Sequence, residues 1–188
     1  MKKTTHVSRA GLLGLMLISM ATTACATNPP AAQTAATPQS VEQILEVHAD
    51  GRINIFYDKH TYDEFLQLGE TSFRLTRIGA GPKGETLVFG LPAADKKKTS
   101  GIPAIDIYEG KRTPANFYGE MRAEGRIFVF SSYADMKMVR DTGEAALRFS
   151  DIGSGPKGET VIYVLNKSNK KEKPTALMAQ FRNFNGMN

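Results

Sequence analysis

The feature that most constrains this chain is an internal repeat at a constant offset of 74 residues. Residues 46–97 align with residues 120–171 without gaps, and 20 of the 52 positions are identical. Similarity at one fixed offset is the sequence signature of a repeated structural unit. We therefore expect the two halves of the chain to share one local fold.

Each copy of the repeat begins with two short strands around a tight turn. In the first copy Asp50-Gly51 separates alternating apolar residues from Ile53–Phe56, and in the second Glu124-Gly125 precedes Ile127–Phe130. Asp-Gly between such segments favours a β-hairpin. The run Ile127–Phe130 has no polar position, which is typical of a central strand that is covered on both faces.

A helix and two further strands follow the hairpin in each copy. In the first copy Thr61 and Glu64 have the spacing of a capping box, and Gly69 marks the helix end. In the second copy Ser132 is the predicted helix cap and Gly143 marks the helix end. With the two strands that come next, joined by a glycine-rich connection, the repeated unit is predicted to be ββαββ.

The predicted fold class is α+β, with the ββαββ unit duplicated into one pseudo-two-fold domain with antiparallel sheets. The units span residues 41–116 and 117–188. Because a unit of about 60 residues without disulfide or metal buries too little surface to be stable alone, we expect a shared core, with two independent domains as the alternative. After the ββαββ elements of each unit, Ala104–Tyr108 alternates like a strand and Ala176–Phe184 is typical of a closing helix.

The glycine-rich connections Gly79–Gly84 and Gly153–Gly158 both match G-x-G-x-x-G. A dinucleotide-binding turn of this kind opens a helix, whereas β-branched and aromatic residues follow both connections here. They also lack the Lys-Ser/Thr pair of a P-loop. The pattern therefore predicts a turn between strands, with glycine for positive φ and proline for a fixed φ, and no nucleotide cofactor.

The candidate binding residues lie in these two connections, which we name the GPKGE loops: Lys83 and Glu85 in the first, and Lys157 and Glu159 in the second. Turn geometry does not obviously require the same charged residues in both copies. They could form a paired contact surface for an anionic ligand or a partner protein, and a purely structural role for the loops is the alternative.

The start of the chain has the order of a signal peptide, assigned to residues 1–24. A charged start at Met1–Lys3 precedes the apolar run Ala10–Met20 and the small residues Ala21–Ala24. The apolar run is shorter than the roughly 20 residues that a membrane-spanning helix needs. The sequence therefore predicts an exported protein.

Cys25 is the candidate lipidation site. Thr22–Cys25 resembles the lipobox of bacterial lipoproteins, in which the cysteine is lipidated, for example with palmitate, and becomes the new N-terminus; the family usually has Leu where this chain has Thr22. Ala24-Cys25-Ala26 also fits ordinary signal-peptidase cleavage. Cys25 is the only cysteine and has no disulfide partner. Because Ala26 follows it, resemblance to lipoproteins of enteric bacteria implies the outer membrane, facing the periplasm; without lipidation the protein would be soluble in the periplasm.

Residues 25–40 are predicted to be the lipidated Cys25 and a disordered tether, which is rich in Ala, Thr, Pro and Gln and without charge. Removing the signal peptide takes away three basic residues, which leaves 21 of the 24 against 19 acidic residues, a net charge of +2. The basic balance of the whole chain therefore depends largely on the signal peptide. A nucleic-acid partner is not expected.

Candidate catalytic groups are few. His60 beside Asp58 could act as a general base, but no nucleophile is placed with them, and no His/Cys cluster predicts a metal site. The leading hypothesis is therefore a non-enzymatic envelope lipoprotein that is anchored to the membrane and binds an envelope protein or an anionic ligand. The alternatives are a small periplasmic enzyme that uses His60 and Asp58, and an inhibitor of a partner enzyme.

Overall fold

The structure is a computed structural model that describes residues 41–187, so the predicted signal peptide, Cys25 and the tether lie outside the described residues. The described chain is a mixed α/β fold with one eight-stranded sheet and four α-helices. In chain order the elements are β1 Glu42–Ala49, β2 Arg52–Phe56, α1 Lys59–Leu68, β3 Arg74–Arg77, β4 Thr86–Gly90, α2 Pro103–Tyr108, β5 Phe117–Ala123, β6 Arg126–Phe130, α3 Tyr133–Thr142, β7 Arg148–Asp151, β8 Thr160–Val164 and α4 Thr175–Phe184.

The two predicted hairpins are confirmed. β1 pairs antiparallel with β2, and β5 with β6. Asp50 and Gly51 have φ values of 53° and 69°, and Glu124 and Gly125 have 52° and 71°. Positive φ at both central residues is the requirement of the two-residue hairpin turn whose twist matches that of the strands. The acidic residue before glycine in each copy tolerates this conformation.

The prediction of purely antiparallel pairing is wrong, because the sheet is mixed. Its strand order is β3-β4-β2-β1-β5-β6-β8-β7. β1 pairs parallel with β5, β2 with β4, and β6 with β8. Hairpins leave a local signal at the turn, whereas a helix between two strands lets the chain return in parallel. The partner of a strand across such a crossover is not visible in the sequence pattern.

Both helices of the predicted units form, but the start of α1 differs. Asp58 caps α1, since its carboxylate accepts a hydrogen bond from the Thr61 backbone nitrogen at 2.9 Å. The predicted cap at Thr61 is therefore wrong: an aspartate three residues earlier is an equally strong cap, and the Thr61 hydroxyl donates to it. Ser132 caps α3 as predicted, and both helices end at a left-handed glycine, Gly69 or Gly143, also as predicted.

Two segments follow the ββαββ elements of the units, and the prediction for one of them is confirmed while the prediction for the other is wrong. The closing helix is present as α4. The predicted strand Ala104–Tyr108 is instead the helix α2, which begins with Pro103 and buries Ala104, Ile105 and Ile107. Proline is well suited to the first turn of a helix because its φ is preset. Six residues are too few for the pattern of apolar positions to separate a strand from a helix turn.

Helices cover both faces of the sheet, which we name after their buried glutamates. On the Glu46 face the core includes Ile105 of α2 and Met136 of α3. On the Glu120 face it includes Tyr62 of α1 and Phe181 of α4. Each face therefore carries one helix from each half of the chain. Strand β6 alternates between the two cores, which confirms the prediction that Ile127–Phe130 is covered on both sides.

Candidate functional site

The candidate binding residues lie at one end of the sheet. The parallel and antiparallel pairings make β1, β3, β5 and β7 run in the same direction. The β1–β2 and β5–β6 turns and both GPKGE loops are therefore at the end where these four strands finish, which we name the hairpin end. The predicted turn between strands is confirmed for both loops, because an antiparallel strand follows each.

The two GPKGE loops have the same internal hydrogen bonds. Glu85 accepts a hydrogen bond from the Lys83 backbone nitrogen at 2.7 Å, and Glu159 accepts one from the Lys157 backbone nitrogen at 2.7 Å. A Cβ atom added to Gly81 would lie 2.6 Å from the Glu85 carboxylate, so this position needs glycine. The glutamates thus stabilise the loop, which turn geometry alone had not suggested.

The two loop lysines are placed differently from the glutamates. Lys83 and Lys157 are both exposed, and among the described residues neither ammonium group forms an ion pair. The isoleucine at the start of each loop is also exposed: Ile78 has 88% and Ile152 has 85% of its surface in solvent. Both copies of the loop therefore present a large apolar side chain to solvent at the same position of the repeat.

A cavity of about 140 Å³ lies beside the first loop on the Glu46 face. Its lining includes Lys83, Glu85, His48 and Arg140. The His48 side chain is 22% exposed, and its Nε2 atom lies 2.9 Å from Glu46 Oε2. The cavity thus joins the loop to a buried charge cluster beneath it.

Glu46 is fully buried, and Arg140 of α3 is its main partner. Arg140 donates from Nε to Glu46 Oε1 at 2.9 Å and also from Nη2. Its guanidinium group stacks 4.4 Å from the centre of the Tyr108 ring on α2. Burial opposes ionisation of Glu46, but the charge of Arg140 and hydrogen bonds from His48 and Arg140 together lower its pKa. This ion pair ties β1 of the first half to α3 of the second.

Glu120, which follows Glu46 by the repeat offset of 74 residues, is buried on the other face. It accepts hydrogen bonds from Tyr118 Oη at 2.5 Å, Asn185 Nδ2 at 2.7 Å and Tyr62 Oη at 3.3 Å. Burial raises the pKa of Glu120, against the opposing effect of these hydrogen bonds and of Arg122. The same residue of the repeat is therefore ion-paired in one half and held by neutral donors in the other.

Arg122 links the second GPKGE loop to this cluster. It donates from Nε to Tyr62 Oη at 2.8 Å and from Nη1 to Glu159 at 2.9 Å. Burial opposes ionisation of Glu159, but its backbone hydrogen bonds and Arg122 lower its pKa. His48 occupies the matching position of the first half. Each loop thus lies next to a basic side chain from the central strands.

The residues of the enzymatic alternative are not brought together by a hydrogen bond. Both bonds to the Asp58 side chain come from Thr61. His60 is on the exposed side of α1, with its side chain 82% exposed, and lies 3.4 Å from Glu64. Sequence reasoning did not single out Glu46, Glu120 or Arg140; the repeated glutamate on an inward-facing strand position was the available signal for the first two.

Within residues 41–187, no group of three or more His, Cys, Asp or Glu side chains is arranged to hold a metal ion. In the same residues, no helix has both the length and the apolar character needed to cross a bilayer.

No protein-family model, curated protein or solved structure matches the chain.

Proposed function

We propose that the folded body is a non-enzymatic binding module that contacts a partner protein of the cell envelope through its hairpin end. The observation that carries this proposal is the repeated presentation of an exposed isoleucine and an unpaired lysine: Ile78 with Lys83, and Ile152 with Lys157. Each loop thus exposes an apolar side chain and a positive charge at the hairpin end, which fits a partner surface that is apolar with acidic groups around it.

The spacing of the loops favours a protein partner over a small ligand. The loops join the two outermost strand pairs, whose midpoints are about 29 Å apart at ~4.8 Å per strand. A typical protein interface buries about 800 Å² on each partner, a patch about 30 Å across. Ile78 directly follows β3 and Ile152 directly follows β7. Because side chains alternate between the two faces of a sheet, these two isoleucines lie on opposite faces. A partner that touches both must therefore lie across the hairpin end.

We also propose that the two halves are an internal duplication of a ββαββ unit, related by a pseudo-two-fold axis along β1 and β5. Support comes from the matching order of elements in the halves and from the matching hydrogen bonds in the two loops. An axis along paired strands keeps those strands parallel and exchanges the faces of the sheet. That operation accounts for helices α1 and α3 packing on opposite faces.

Photo-cross-linking in cells tests the binding function. We expect a photoreactive residue at Ala80 and at Ser154, each inside a GPKGE loop, to give an adduct with the same envelope protein. Combining either with Lys83→Glu and Lys157→Glu should remove that adduct, because the acidic surface would then be repelled. A photoreactive residue at Met138, exposed on α3, is the matched control. Adducts of unchanged pattern after the charge reversal would contradict the proposal.

We further propose that Cys25 anchors this module to the outer membrane, facing the periplasm. Replacing Cys25 with serine should abolish labelling of the chain by a palmitate analogue and move it from the membrane to the soluble fraction. Since serine cannot form the thioether to lipid, the loss should be complete. The measurement is in-gel detection of the label together with fractionation. Unchanged labelling of the serine variant would exclude the anchor.

A further inference from the structure

A groove of about 500 Å³ lies on the Glu120 face and reaches the hairpin end at Ile78. It is bounded by the end of α1 and by strands β2, β4 and β3. Helices α1 and α4 pack over the central strands and over the second half of this face, and the groove side of β3, with Arg74 and Thr76, is exposed. The outer part of the sheet is therefore open to a ligand.

The groove has a guanidinium group at either end. Arg52 on β2 and Arg74 on β3 both line it, together with one carboxylate, Glu70, after the end of α1. From the strand registers they are four residues and two strands apart, which corresponds to about 16 Å between Cα atoms. Within the described residues the Arg52 side chain has no hydrogen bond or ion pair, and the Arg74 side chain donates only to the Thr71 carbonyl at 3.4 Å.

The floor between the two arginines can hold a polar chain. Thr76 and Thr86 offer hydroxyl groups, and Val88 and Phe65 supply apolar surface. Arginine recognises carboxylate and phosphate through its planar fork of donors. Side chains four residues apart on an extended peptide are about 13 Å apart, which the reach of two arginine side chains accommodates.

We infer that this groove binds an extended acidic ligand that carries two oxyanions, carboxylate or phosphate, about 13 Å apart. The second half of the chain offers a natural comparison. Arg126 and Arg148 are the matching arginines by the repeat, but Phe128 replaces Asn54 and is buried in the core. Arg126 is also paired with Glu124 at 3.2 Å. Arg148 donates to the Ala145 carbonyl at 3.0 Å, as Arg74 does to the Thr71 carbonyl. The two surfaces therefore differ in the pairing of Arg126 and in the residue between the arginines, Phe128 or Asn54.

The test is calorimetric titration of the full chain with an acetylated and amidated pentapeptide that has Asp at both ends and Ser-Gly-Ser between them. A second peptide with phosphoserine at both ends distinguishes phosphate from carboxylate as the preferred group. A third with Asn at both ends is the neutral control. We expect at least one acidic peptide to bind and the Asn peptide not to bind.

Variants locate that binding. Arg52→Gln and Arg74→Gln should each weaken the affinity for the acidic peptide by about tenfold, because each removes one charge-assisted contact to an oxyanion. Arg126→Gln with Arg148→Gln should leave it unchanged. Asn54→Phe should abolish it by filling the groove, and circular dichroism will show whether that variant folds. Binding of neither acidic peptide, or equal affinity in the Arg52→Gln, Arg74→Gln double variant, would overturn the inference. Failure of this inference is distinguishable from failure of the hairpin-end contact, because neither Lys83 nor Lys157 lines the groove.

Discussion

Replacing Arg140 with leucine should lower the free energy of unfolding by about 3–5 kcal/mol, because it leaves a fully buried carboxylate without its cation. Glu46 is 0% exposed and Arg140 is 4% exposed, so water does not replace the lost partner. Leucine is the residue at the matching position of the first half, Leu66, so the change is compatible with a helix at this site. Urea denaturation of the full chain at pH 7 measures the loss.

Two companion variants make this result specific to the buried charge. Lys137→Ala removes an exposed pair with Asp141 from the same helix and should cost less than about 0.5 kcal/mol. Adding Glu46→Gln to Arg140→Leu should recover part of the loss, because no buried charge then remains. A loss below about 1 kcal/mol for Arg140→Leu would show that the pair does not hold the halves together.

The second large effect concerns pH and Glu120. Because the folded pKa of Glu120 is raised, the folded state holds this proton more tightly than the unfolded state. Its contribution to stability is therefore greatest below the unfolded pKa, about 4.3, and is lost as the pH rises through the folded pKa. Glu120→Gln should remove this loss, so its stability relative to the wild type should increase with pH, by about 1.4 kcal/mol per pH unit inside that window.

The measurement is urea denaturation of both proteins at a series of pH values from 4 to 8. Glu124→Gln is the matched control. Because the Glu124 side chain is 78% exposed, this substitution should change the pH dependence of the unfolding free energy little. Glu46, whose pKa is lowered, acts in the opposite sense and loses its stabilisation as the pH falls through its folded pKa. A constant stability difference between Glu120→Gln and the wild type across the range would contradict a raised pKa.

Much of the local structure could be predicted because its causes are local. The hairpins at Asp50-Gly51 and Glu124-Gly125, the helix ends at Gly69 and Gly143, and the turns in the GPKGE loops each depend on backbone conformations that few residues adopt. The residue types at such positions can therefore be recognised in the sequence. The helix α2 was predicted as a strand, because the apolar positions in its six residues fit the period of a strand as well as that of a helix.

The arrangement of the strands and helices depends on contacts between residues that are far apart in the chain. Local sequence patterns do not show which of these residues will be in contact. The parallel pairing of β1 with β5 joins residues about 75 positions apart, and Arg140 reaches Glu46 across 94 positions. Arg140 even occupies a position where the other copy has Leu66. The loop glutamates were predictable as repeated residues, but their hydrogen bonds to the Lys83 and Lys157 backbone required coordinates.

The proposed function requires Lys83 and Lys157, with the exposed Ile78 and Ile152, to contact an envelope partner. The most direct measurement is the affinity of the protein identified by cross-linking for the wild-type chain and for the Lys83→Glu, Lys157→Glu variant, with Lys111→Glu as control. We expect the double variant to bind at least about 100-fold more weakly and the control to bind as the wild type does. Equal affinities for the wild type and the double variant would contradict the account.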